Sequence, residues 1–80
     1  MKARVQVTLK RGVLDTQGVA IRNALKSLGF DAVDEVRAGK LIELDLNESD
    51  PAKARRSVED MCKKLLVNDV IETYAIDIAG

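Results

Sequence analysis

Residues 3–10 read Ala-Arg-Val-Gln-Val-Thr-Leu-Lys and alternate apolar with polar side chains without a fault. Side chains of an extended chain point to opposite faces in turn. Ala3, Val5, Val7 and Leu9 therefore share one face, and Arg4, Gln6, Thr8 and Lys10 share the other. A helix would scatter the same residues around its axis. The stretch predicts a strand that is apolar on one face only, and the rest of the chain must cover that face.

Two amphipathic segments can supply the cover. In the first, Asp15 stands where an N-cap belongs, and Ile21, Ala24, Leu25 and Leu28 follow the spacing of one helical face. Gly29 suits the residue just past the end, so a helix is expected over about 16–28. In the second, Ser49-Asp50-Pro51 couples a capping residue to proline at the first helical position. Ala54, Val58, Met61, Cys62 and Leu65 would form its apolar stripe, and Asn68-Asp69 its end.

Between the helices two strands are expected, joined by a hairpin through Gly39. In the second of them Ile42, Leu44 and Leu46 face inward, with Glu43 and Asp45 outward. The first, around 32–38, is irregular, because Val33 and Val36 have opposite parity. Residues 70–78 make a last strand, with Val70, Tyr74, Ile76 and Ile78 on one face. The order β-α-β-β-α-β with right-handed crossovers predicts an α+β, ferredoxin-like domain: a four-stranded antiparallel sheet with both helices on one face.

Size and composition narrow the function. Eighty residues hold one core, so 1–80 is read as a single domain. No apolar run exceeds three residues, which leaves no membrane span or signal segment. Thirteen basic residues balance thirteen acidic ones. Nucleic-acid binding normally needs a basic surplus, and Phe30 and Tyr74 are too few aromatics for base stacking. Cys62 is the single cysteine and there is no histidine. That excludes an intrachain disulfide and a multi-cysteine zinc site, leaves the thiol without an imidazole base, and fits a cytoplasmic setting.

The glycine-bearing stretch 12–18 invites a phosphate-loop reading, but Val19 and Ala20 stand where a Walker loop has lysine and a hydroxyl. Asp15 also occupies the helix start that an anion would seek. Glu43, Asp45 and Asp77 share the outer sheet face with Arg4, where cross-strand charge pairing explains them without catalysis. Leu41, Ile71 and Ala75 also point outward, an apolar admixture suited to contact with another chain. No complete catalytic set and no metal cluster is present.

Four strings carry a family resemblance: KRGVLDTQG (10–18), LKSLGF (25–30), VRAGK (36–40) and VIETYAI (70–76). Together they resemble the PurS family, the small subunits of multi-subunit phosphoribosylformylglycinamidine (FGAM) synthase of purine biosynthesis. Two positions depart from the family pattern. Thr16 stands where the family has proline, and Asn68-Asp69 stands where it has Asn-Pro. The resemblance implies a non-catalytic accessory subunit that associates with itself as a homodimer or higher and bridges two other chains. Those are a synthetase subunit, which would hold ATP and Mg, and a glutaminase subunit whose ammonia must be protected in transit. No cofactor is implied on this chain, and no nucleic acid or membrane partner. Asp15, Gln17, Gly18, Arg37 and Lys40 are the candidate partner contacts, since they lie in these strings without an evident core duty. The competing expectation is a small-molecule sensor resembling ACT regulatory domains, in which an amino acid would approach the loop amides near Gly18.

Overall fold

A computed structural model describes residues 1–79. Its elements are β1 (Lys2–Leu9), α1 (Thr16–Ser27), β2 (Gly39–Asp45), α2 (Pro51–Met61), a π-helical turn (Cys62–Leu66) and β3 (Glu72–Ala79). The class is α+β. The three strands form one antiparallel sheet in the order β2-β1-β3.

The alternation of β1 places it centrally. Ala3 lies between Leu44 and Ile78, and Val5 between Ile42 and Ile76, so one face is apolar along these rows, up to Val7 where Lys40 stands opposite. On the other face Arg4 sits between Glu43 and Asp77, and Gln6 between Leu41 and Ala75. Strand parity sets the face of each row, and the register sets its members.

α2 covers the apolar face. Asp50 caps it by accepting from the Ala52 N–H at 2.9 Å, and Pro51 opens the first turn. Ala54, Val58 and Cys62 are fully buried and meet Ala3, Val5 and Val7 in the core. The stripe then departs from its expected course. The Val67 N–H donates to the Cys62 carbonyl at 3.0 Å, an i→i+5 bond that widens the final turn. In a wider turn each residue advances through a smaller angle. Leu66 therefore packs against the core, while Leu65 rotates out and stands 83% exposed. Val70 is likewise exposed, because β3 begins only at Glu72 after a turn in which Asn68 Oδ1 accepts from the Val70 N–H.

Two expectations are corrected. Among the described residues the sheet has three strands, not four: residues 33–38 run without a ladder partner. Gly39 cannot serve as a hairpin turn because it is already a ladder residue opposite Thr8, where an added Cβ would stand 2.7 Å from the Val7 carbonyl oxygen. With β2 starting at Gly39, no residues remain to reverse the chain. Nor do both helices lie on the sheet. α1 projects from it, and only Gly18 along its length is buried. The radius of gyration is 16.0 Å and the longest extent 48 Å, whereas a compact 80-residue domain would have a radius near 12 Å.

Candidate functional site

The strings 10–18 and 36–40 meet at the end of the sheet where α1 departs. Asp15 is the centre of this junction. Its carboxylate accepts from the Gly18 N–H at 2.9 Å, which caps α1, and from the Ala38 N–H at 2.7 Å, which ties down the strand-less segment. The side chain is only 5% exposed and has no lysine or arginine at ion-pairing distance. Backbone donors satisfy it instead.

Those donors set its acidity. The N–H groups of Gly18 and then Ala38 hold the Asp15 carboxyl below the ordinary aspartate value, with the nearby Arg37 guanidinium assisting against partial desolvation. A folded-state value below the unfolded one means that the unfolded chain binds more protons in acid. The stabilisation is therefore complete above the unfolded value, about pH 4, and is lost as pH falls through the lower folded value. Asp15→Asn keeps an oxygen for one amide only. Urea midpoints should show the variant less stable than the parent at pH 7, with the gap closing below about pH 4. A gap independent of pH would contradict this assignment.

Gly18 completes the lock. It lies against the Val36 carbonyl so closely that an added Cβ would overlap that oxygen. The first turn of α1 and the segment 36–38 are thus held backbone to backbone. Arg22 adds a long contact from its guanidinium to the Asp34 carbonyl, at 3.5 Å. At the other end, Gly29 at φ +96° lets the Phe30 N–H reach the Leu25 carbonyl at 3.0 Å and stops the helix.

The remaining candidates divide between two sides of the junction. Gln17 and Lys40 are exposed and line a cleft of about 230 Å3 with Asp15, Val7 and Glu72, on the side of the sheet that α2 covers farther along. Arg37 opens the other way, and one of its terminal nitrogens donates to the carbonyls of Leu9 and Lys10, both at 3.2 Å. All five candidates therefore lie at one junction, with Asp15 and Gly18 serving mainly its architecture. Sequence reasoning missed that Asp15 reaches Ala38 as well as its own helix; no local pattern signals a bond spanning 23 residues.

Little in this region can break or make covalent bonds. Burial, with Glu59 nearby, pushes the Cys62 thiol up, and the sulfur is sealed in the core. The Gly18 and Ala38 amides, which an amino-acid ligand of a sensor domain would have to meet, already serve Asp15. What the region offers instead is uncovered apolar surface: Leu28 is 73% and Phe30 57% exposed at the far end of α1.

Comparisons with known proteins agree with a chain built for assembly. The family model described as "PurS: Phosphoribosylformylglycinamidine (FGAM) synthase" matches residues 2–80. The phosphoribosylformylglycinamidine synthase subunit PurS of Synechocystis is 47% identical over 77 residues, covering 96% of this chain and 77% of that protein. The crystal structure of Methanocaldococcus jannaschii PurS, described as a subunit of formylglycinamide ribonucleotide amidotransferase in the purine biosynthetic pathway, superposes with a TM-score of 0.88. It is 46% identical, with 95% of this chain and 92% of that one covered. A chain of the Thermotoga maritima PurLQS structure superposes with a TM-score of 0.87 at 32% identity, covering 95% and 93%. Shared sequence along the whole length, a shared fold, and a junction that fastens backbone without reacting groups lead to one assignment: the chain belongs to the PurS family of FGAM synthase subunits.

Proposed function

We propose that this chain is the accessory subunit of an ATP- and glutamine-dependent FGAM synthase in de novo purine biosynthesis, acting in the cytoplasm. It bridges the synthetase and glutaminase subunits and supports ammonia transfer between them, while ATP and Mg are held by the synthetase. One observation carries the reading: an apolar helix face is left without cover in a chain that has no paired nucleophile and base.

Self-association follows from the same face. Ile21, Ala24 and Leu28 form a stripe on α1 that this chain's own sheet does not meet, and β2 presents a free edge. A second copy supplies both deficiencies. Its segment 33–38 pairs with the free edge of β2, its α1 covers the β2 half of the apolar face, and the exchange is reciprocal. The four-stranded ferredoxin-like plan is then completed across two copies. Gln17, Arg37 and Lys40 lie at the exposed rim of this arrangement and are offered as contacts to the larger subunits.

Bridging is testable with purified components. Synthetase and glutaminase subunits from the same organism are expected to co-sediment only when this chain is added with glutamine and nucleotide present. Equal co-sedimentation without it would sink the bridging role.

A further inference from the structure

On the outer-face side of the junction, Thr8, Thr73, Lys10, Arg11, Glu35 and Arg37 surround an open cavity of about 460 Å3. Three cations face one carboxylate here, in a chain whose charges sum to zero. None of the three is in an ion pair; among the described residues the one pair at contact distance is Lys64–Asp60. The cations are partly pre-positioned. Lys10 Nζ donates to the Asp69 carbonyl at 2.6 Å, and a single terminal nitrogen of Arg37 serves both the Leu9 and Lys10 carbonyls. The rest of the Arg37 fork and all of the Arg11 guanidinium have no acceptor among the described residues. The floor is a cross-strand hydroxyl pair, Thr8 opposite Thr73.

We infer that this cavity is a socket for an acidic segment of a partner subunit, one of whose Asp or Glu carboxylates seats between Arg11 and Arg37. The inference rests on the accessory-subunit reading above. A guanidinium fork matches a planar carboxylate, and the threonine hydroxyls can serve its second oxygen. A phosphate is a poorer match, because phosphate cradles turn several backbone N–H groups toward the anion. Here two amides beside the cavity are engaged elsewhere, Lys10 N–H with the Ile71 carbonyl and Val13 N–H with the Lys10 carbonyl. Glu35 at the rim further opposes a dianion.

Arg11 is the residue to change, since it is exposed and makes no hydrogen bond whose loss would disturb the fold. The measurement is the affinity of this chain for the purified synthetase and glutaminase subunits at salt concentrations from about 50 to about 300 mM. Arg11→Ala should weaken assembly and Arg11→Glu should weaken it more, by on the order of tenfold or more at low salt, with both gaps narrowing as salt rises. Arg11→Glu assembling as tightly as the parent at every salt concentration would overturn the socket while leaving the bridging role intact. Failure of the parent chain itself to join would instead overturn that role. In a parallel arm, inorganic phosphate is titrated into the isolated chain at constant ionic strength with amide NMR as readout. Saturable shifts at Thr8, Arg11 and Thr73 would identify a small-anion site and also overturn the assignment; unsaturated drift is the expected result.

Discussion

Gly18→Ala is expected to destabilise the chain by roughly 2–4 kcal/mol, the opposite of what helix propensity alone predicts. Gly18 lies in the first turn of α1, where alanine would ordinarily gain up to about 1 kcal/mol. The methyl group would overlap the Val36 carbonyl oxygen and stand 2.8 Å from Asp15 Oδ2. A flexible side chain could move aside, but the Val36 oxygen is backbone, and the neighbouring Ala38 N–H is bonded to the same carboxylate. Relief therefore requires separating α1 from the segment 36–38 and disturbing both Asp15 hydrogen bonds. Urea unfolding monitored by circular dichroism measures the change; an unaltered or higher midpoint would show that the junction yields without cost.

Ala24→Glu carries the second large effect, and it acts between chains. In one copy Ala24 is exposed on α1, so the exchange costs only a few tenths of a kcal/mol of helix propensity. In the reciprocal pairing Ala24 lies mid-stripe between Ile21 and Leu28, where a carboxylate would be buried without a partner. That costs about 3 kcal/mol in each copy and about 6 kcal/mol for the reciprocal pair, a self-association constant weakened on the order of 10,000-fold. Sedimentation equilibrium reads this directly. Asn23→Glu adds the same charge on the opposite side of the helix and should leave association unchanged. Equal effects at the two positions, or none at either, would rule out the stripe as the contact.

Strand parity was legible in the sequence because it is local: the alternation of β1 already specifies that Val5 faces inward and Arg4 outward. Their neighbours, Ile42 and Ile76 for Val5 and Glu43 and Asp77 for Arg4, depend on a register that alternation does not set. The caps Asp15 and Asp50 were legible for the same reason, each bonding within three residues of itself. Leu65 departs from its expected place because the π-helical turn over Cys62–Leu66 rotates the end of the stripe, and nothing in the spacing of Met61, Cys62 and Leu65 announces it. The stretch around 32–38 reads as a strand in a hairpin. Its extended run was foreseeable, but its lack of a partner depends on Gly39 being drawn against the Val7 carbonyl, a tertiary contact. Two of the family-like strings, 10–18 and 36–40, meet at one junction. They did not distinguish Asp15 and Gly18, which hold it together, from Gln17, Arg37 and Lys40, which face solvent.

On the accessory role proposed above, this chain should matter for one nitrogen source and not the other. The discriminating measurement is FGAM synthesis by the purified synthetase and glutaminase subunits, with and without this chain, supplied either with glutamine or with a high concentration of ammonium. Glutamine-dependent turnover is expected to need the chain, and ammonium-dependent turnover to proceed at the same rate in its absence. Loss of both activities on omitting the chain would mean that it contributes catalytic groups, and would contradict the accessory role proposed above.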